Sequence, residues 1–275
     1  MSDKKAITEA LVLDFRGHAG LGGSFEAWTD RLADYRRKGR AIADTEPSFA
    51  LFGSAACEKM LLLADTEELL GRMEYAAKLG MEPMLELPPI HQSKRQAMLL
   101  LVAKLSSRLM PKALLVNDIG SALLMGKAFP ELKLQAGRAF DKTVRENRFD
   151  IRGMTEFREN FELISSPALA EDGWQELFGR LGIDRITVDT LPDGKLVLPV
   201  CQTGWDVIYP RISISKLAKC EYAEQCDTGC KLYRKSYCGS GGRELYRMEH
   251  ELVCMQRKAL EDAVSGSFRL IYSEL

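Results

Sequence analysis

Three cysteines near the carboxyl end of the chain, Cys220, Cys226 and Cys230, are separated by five and by three residues. Spacings this short let one loop wrap around a metal ion or cluster, and Gly229 relaxes the backbone before the last thiol. Thiolates are soft ligands that favour zinc, copper(I) or iron–sulfur clusters. The spacing differs from the paired Cys-x-x-Cys of a zinc ribbon, so it favours a cluster with a distant fourth ligand. Zn²⁺ on four thiolates is the alternative.

Cys57 is the candidate for that fourth ligand, because it follows a predicted strand and would lie at the carboxyl rim of the strands. The chain has seven cysteines, and an odd number argues against a disulfide framework. Cys238 is a reserve ligand that could replace Cys57 or Cys220. Cys201 and Cys254 lie in apolar surroundings and are expected to pack as small hydrophobic residues.

Three further polar positions follow predicted strands and are candidates for catalysis. His91 would transfer protons or contact substrate, although a rim histidine bonded to a carbonyl group is the favoured interpretation. Asn117 and Asp118 could hold a polar substrate or cap the helix that follows, and the sequence favours neither. The other histidines, His18 and His250, are expected at the surface.

Two arginines complete the candidates. Arg138 follows a predicted strand, and Arg211 precedes the cysteine loop. Either guanidinium could bind a carboxylate through two hydrogen bonds, stabilise a reduced anionic cluster, or form ion pairs with barrel carboxylates. Arg211 is the stronger candidate because it approaches the cysteine loop in sequence.

The elements that must position these residues alternate between apolar strands and amphipathic helices, which predicts parallel strands joined by right-handed crossovers. We expect one α/β domain over residues 1–275, a (β/α) barrel of the TIM type. A doubly wound sheet is the competitor, but no Gly-x-Gly-x-x-Gly follows a strand. Predicted strands are 11–15, 48–52, 83–87, 113–116, 132–135, 162–164, 185–188, 196–200 and 206–214. Predicted helices are 24–37, 66–79, 93–108, 121–128, 172–181 and a long carboxyl-terminal one at 244–264, with an irregular cysteine-rich loop at 216–242.

Composition narrows the class of partner. The net charge is −1, so no overall basic field favours nucleic acid. We expect no membrane span, because the apolar stretches are short and interrupted by charged residues. The first residues show no apolar signal-peptide core, so we expect a cytoplasmic protein.

Four short segments resemble the peptidase U32 family. Residues 48–57 (Ser-Phe-Ala-Leu-Phe-Gly-Ser-Ala-Ala-Cys) are similar to a family strand, glycine and first cluster cysteine. Residues 116–120 and 129–137 resemble the next strands and their turns, and residues 226–230 match a closing Cys-x3-Cys. Within the family, the chain is most similar to the iron–sulfur branch of oxygen-independent ubiquinone biosynthesis (the UbiU/UbiV type).

The resemblance implies a barrel-like fold and a [4Fe–4S] cluster on Cys57, Cys220, Cys226 and Cys230. It also implies hydroxylation of a quinone precursor or another small molecule without oxygen gas, together with a second U32-family subunit in a heterodimer. Other family members hydroxylate RNA bases. The usual Glu-x-Phe-x-His-Gly segment is absent, so neither peptidase activity nor a stand-alone hydroxylase is expected. A structural zinc or cluster module without catalysis is the alternative function.

Overall fold

Eight parallel strands close into a barrel in the computed structural model. The structure describes residues 6–16, 24–141, 166–191, 195–216, 235–238, 244–248 and 251–273. The barrel strands, in order around the ring, are β1 (Ala6–Asp14), β2 (Pro47–Gly53), β3 (Glu82–Glu86), β4 (Leu114–Val116), β5 (Leu134–Ala136), β6 (Ile183–Asp189), β8 (Gly204–Lys216) and β12 (Val264–Ser273). Parallel pairing of β12 with both β1 and β8 closes the ring. The predicted (β/α) barrel is therefore confirmed.

Helices follow the strands and cover the outside of the barrel. They are α1 (Phe25–Ala43), α2 (Glu58–Leu63), α3 (Thr66–Lys78), α4 (Arg95–Arg108), α5 (Ile119–Ala128), α6 (Asp172–Leu181) and a short α7 (Leu260–Ala263). Short 3-10 turns lie at Gln92–Lys94 and Ala168–Ala170. The five predicted helices up to residue 181 are confirmed, and α1 continues six residues beyond its predicted end at residue 37. The predicted strand at 162–164 lies outside the described residues.

The period-two alternation of the strands sorts side chains between the barrel interior and the helices. The middle of the interior is apolar and contains Val12, Leu51, Met84, Leu115, Ile208 and Ile271. Outward-facing residues pack against the helices, as Phe15 does against Trp28 of α1, with ring centroids 5.4 Å apart. The apolar middle layer separates the polar groups at the two ends of the barrel.

The predicted carboxyl-terminal helix at 244–264 is wrong. That segment forms β10 (Glu244–Met248), β11 (Glu251–Met255) and α7, and the chain then enters β12. The physical reason is that β8 extends beyond the barrel and presents its residues 211–216 as an edge, with which β11 pairs in antiparallel register. Strand pairing against this edge overrides the local helical pattern.

The same extension changes the prediction for the cysteine-rich loop. Lys216 is still part of β8, and β9 (Lys235–Cys238) pairs with β10, so these parts of segment 216–242 are strands. The predicted strand at 196–200 is reduced to β7 (Leu196–Val197), which pairs with the start of β12.

Within the parts of the chain that the structure describes, no helix combines the length and apolar character needed to cross a membrane.

Candidate active site

Charged and polar side chains collect where the barrel strands end. The carboxyl ends of the strands meet at one face of such a barrel, and sites are built there. We call this set the mouth network: Asp14, Arg16, Glu86, Asn117, Arg138, Asp189 and Arg211. Six of the seven have at most about a twentieth of their surface exposed, and Arg211 is the more accessible member.

Arg16 is the centre of the network. Its Nε and Nη2 donate to Asp14 Oδ1 and Oδ2 at 2.8 and 2.7 Å, so the guanidinium binds this carboxylate with both prongs. Its Nη1 donates to Glu86 Oε2 across the mouth, and its backbone N–H donates to Asp14 Oδ1 at 3.0 Å. One buried cation is therefore shared between two buried carboxylates, from β1 and from β3.

The buried charges of this trio shift the pKa values of Asp14 and Arg16. Burial by itself raises the pKa of Asp14, but the charges and hydrogen bonds of Arg16 and Arg211, with a hydrogen bond from Ser273, outweigh it and lower that pKa well below its usual range. Burial lowers the pKa of Arg16, yet the charges of Asp14 and Glu86 outweigh this effect and raise it. Asp14 and Arg16 are thus a fixed pair of opposite charges near neutral pH.

Asn117 ties the next strands into the network. Its Nδ2 donates to Glu86 Oε1 and to the Leu87 carbonyl oxygen, each at 2.8 Å, and its Oδ1 accepts from the Ala139 N–H at 3.0 Å. Gly137 makes room for it, because a Cβ there would lie 2.5 Å from Asn117 Oδ1. Asn117 therefore connects Glu86 and Leu87 with the turn after β5, and its predicted contact with a polar substrate stays a prediction.

The neighbouring Asp118 has the other role. It is the N-cap of α5, where its Oδ1 accepts from the Ser121 N–H at 2.7 Å and its Oδ2 accepts from the Ser121 hydroxyl. Its Oδ2 also accepts from the Ile90 N–H at 3.3 Å. The capping interpretation is therefore confirmed for Asp118. None of its contacts with the described residues supports the other interpretation, in which Asp118 holds a polar substrate.

Arg138 and Arg211 complete the mouth from two further strands. Arg138 Nη1 lies 3.2 Å from Asp189 Oδ2, and both side chains are buried. Arg211 Nη2 lies 3.3 Å from Asp14 Oδ2, with 13% of the arginine side chain exposed. Both arginines thus pair with carboxylates at the carboxyl ends of strands, one of the predicted alternatives.

Cys57 lies on the same rim, in the turn between β2 and α2. Its N–H donates to Ser54 Oγ at 2.9 Å, and its Sγ accepts from the Met60 N–H at 3.4 Å as the N-cap of α2. The residue is 8% exposed. Gly53 permits this turn, because its φ is +99° and a Cβ would collide with the Glu86 carbonyl oxygen. The prediction that Cys57 lies at the rim is confirmed.

The other predicted ligands are Cys220, Cys226 and Cys230, which lie outside the described residues. Cys238 ends β9, where its backbone is opposite Glu244, and its side chain is not described. Within the described ranges, no group of three or more His, Cys, Asp or Glu side chains could hold a metal ion. A set of four thiolates would suit a [4Fe–4S] cluster or zinc chemically, and the ligand set is therefore a prediction.

The remaining predicted residues have ordinary structural environments. His91 is exposed, its N–H donates to Glu58 Oε2 at 2.8 Å, and its Nδ1 lies 2.9 Å from Ser93 Oγ. Cys201 donates from Sγ to the Thr203 carbonyl oxygen at 3.2 Å and packs against the core. Cys254 is buried in β11. The two cysteines pack as predicted, and His91 lies outside the mouth network; His18 and His250 lie outside the described residues.

Four members of the mouth network were missed in the sequence: Asp14, Arg16, Glu86 and Asp189. The three acids could have been recognised in the sequence, because each one is the last residue of a strand that overlaps a predicted apolar strand. Because alternate residues of a strand face the same side, a carboxylate two residues after an inward-facing side chain also faces inward, towards the barrel mouth. Arg16 has no comparable signal, since it lies beyond the end of β1.

No family model, curated protein or solved structure matches this chain. Membership of the peptidase U32 family is therefore a prediction from the motifs quoted above.

Proposed function

We propose that the chain is an iron–sulfur protein of the U32 type that acts in an oxygen-independent hydroxylation pathway. In this proposal Cys57, Cys220, Cys226 and Cys230 hold a [4Fe–4S] cluster at the rim of the barrel. The observation that carries it is the position of Cys57, on the carboxyl rim beside the mouth network rather than within the apolar core clusters.

The path of the chain supports this arrangement. Strands β2 and β8 are separated around the ring by β1 and β12, which is three strand spacings, or roughly 14 Å along the wall at about 4.8 Å each. The segment that carries the three other cysteines starts after Lys216, at the end of the β8 extension. Of its cysteines, Cys220 lies four residues after Lys216, a reach of roughly 13 Å at about 3.3 Å per residue, and Cys230 lies fourteen residues after it, a reach of roughly 46 Å.

The environment of Cys57 also suits a cluster ligand. The Met60 N–H that points at its Sγ would stabilise negative charge on a ligating sulfur, and hydrogen bonds of this kind raise cluster potentials. A bound cluster would supply one-electron chemistry. The mouth network would bind and orient the substrate beside it with fixed charges, which avoids the cost of reorganising them during reaction.

The proposal includes three finer points that the resemblance implies. The substrate class is a small molecule of the quinone-precursor type, and RNA bases are the alternative, which the net charge does not favour. A second U32-family subunit completes a heterodimer. The protein works in the cytoplasm, where thiols remain reduced.

Anaerobic purification of the full chain, followed by absorption spectroscopy and by iron, sulfide and zinc analysis, tests the cluster. We expect a brown protein with stoichiometric iron and sulfide, and loss of the colour in Cys57→Ala. Cys201→Ala is the matched control and should keep the cluster, because Cys201 packs against the core. A colourless wild-type protein with stoichiometric zinc would replace this proposal with the structural zinc module.

A further inference from the structure

The members of the mouth network differ in how fully their hydrogen-bonding groups are used. Asp14 accepts three hydrogen bonds from Arg16, a contact from Arg211 and a hydrogen bond from Ser273. Glu86 is fully buried, and each of its oxygens accepts from Arg16 or Asn117. Asp189 is also buried, so the three carboxylates offer a ligand no accessible acceptor.

Arg211, by contrast, uses few of its hydrogen-bond donors on the described residues. A guanidinium has five N–H donors, and the described part of the chain gives Arg211 a single ion pair, the 3.3 Å contact with Asp14. Asp14 is already bound by both prongs of Arg16 at shorter distances, so this contact is the weaker one. With 13% of its side chain exposed, Arg211 is also the charged member of the network that a ligand can reach.

We propose that Arg211 binds an anionic oxygen group of the substrate, a carboxylate or a phosphate, at the barrel mouth. A ligand at this position must bring acceptors, because the accessible groups are donors. An acidic oxygen group matches the planar fork of arginine and forms paired hydrogen bonds with it. The charge of Asp14 does not prevent this, because the two cations Arg16 and Arg211 together balance the two carboxylates Asp14 and Glu86. This inference names a substrate class for the site of the proposed function and rests on that proposal.

Isothermal titration calorimetry on the anaerobically purified full chain tests the inference, with succinate and inorganic phosphate as probes at constant ionic strength. We expect at least one of these anions to bind the wild type. Arg211→Gln should weaken that binding by at least about tenfold, because one paired charge-assisted contact is lost. Arg180→Gln removes an exposed arginine of α6 and should leave binding unchanged. The anion that binds identifies carboxylate or phosphate as the recognised group.

Arg211→Lys keeps the positive charge but loses the fork, so it should fold as the wild type does and bind the anion several-fold more weakly. Binding by Arg211→Gln or Arg211→Lys at wild-type affinity, or no binding of either anion by the wild type, would overturn the inference. Iron and sulfide are measured on the same samples. Anion binding without a cluster would refute the proposed function alone, and a cluster without anion binding would refute the anion site alone.

Discussion

Replacing Arg16 with methionine tests whether this one cation holds the mouth together. Methionine is unbranched and of comparable length, but it leaves the carboxylates of Asp14 and Glu86 buried without their main counter-charge, at 2% and 0% side-chain exposure. Removing one partner of a buried ion pair costs about 3–5 kcal/mol. Arg211 remains 3.3 Å from Asp14, whereas the described residues leave Glu86 only the Asn117 amide as a side-chain partner. We therefore expect Glu86 to account for most of the loss.

Urea unfolding followed by circular dichroism near pH 7.5 measures this loss as a lower midpoint at an unchanged slope. Arg180→Met is the matched control; its exposed pair with Glu176 on α6 should matter little. The double variant Arg16→Met with Glu86→Gln should be less destabilised than the sum of the two single variants, because the neutral amide no longer needs the cation. A loss below about 1 kcal/mol for Arg16→Met, the range of exposed pairs, would refute this account of the mouth.

Three further predictions concern single positions. Asp118→Ala should lower the free energy of unfolding by about 1 kcal/mol through the lost N-cap, and leave anion binding intact in the same calorimetric assay. Gly137→Ala should destabilise the protein by about 1–3 kcal/mol, because the new Cβ collides with Asn117. Its control is Gly173→Ala in α6, where a Cβ meets nothing within 4 Å, and this variant should stabilise the protein by up to about 1 kcal/mol. Equal denaturation midpoints for the two variants would contradict this prediction. The lowered pKa of Asp14 means that its contribution to stability is present above the unfolded-state pKa and is lost as the pH falls through the folded-state value. Acid unfolding curves should therefore be less steep in Asp14→Asn, and curves parallel to wild type would exclude this group as a source of the pH dependence.

The barrel could be predicted because its strands and helices are locally consistent. Apolar runs such as residues 11–15 and 83–87 lie within or beside β1 and β3, and the α3 and α6 patterns end at glycines with positive φ, Gly80 and Gly182. Each of these signals lies within one element. They can therefore be recognised in the sequence without knowing which strands pair.

The carboxyl-terminal region could not be predicted in the same way, because its structure depends on a distant partner. The apolar residues between 244 and 264 fit a helical spacing, but the extended edge of β8 pairs with β11 from Arg211 to Lys216. Strand β12 carried a local signal that was overlooked: Phe268, Leu270 and Tyr272 alternate with Arg269 and Ile271. A buried arginine, Arg269, interrupts this apolar pattern and makes the strand hard to recognise in the sequence. Its burial is explained by Asp206, which lies opposite it on β8.

That buried arginine shows why both ends of the barrel are charged but only one offers a site. At the amino end, Arg269 donates from Nε to Asp206 Oδ1 at 3.0 Å and from Nη2 to the other oxygen of Asp206. Nη2 also donates to Gln135 Oε1 at 2.8 Å, and the guanidinium carbon lies 4.9 Å from the Phe49 ring centroid.

Both cations of this amino-end cluster are paired with carboxylates: Arg269 and Arg185 bind Asp206, and Arg185 also binds Glu9. Arg211 at the carboxyl end has, among the described residues, one long ion pair, with Asp14. The apolar layer between the two ends, from Val12 to Ile271, keeps their hydrogen-bonding groups out of contact with each other. Arg269 therefore stabilises the barrel, and the accessible donors at Arg211 are the ones that a ligand can use.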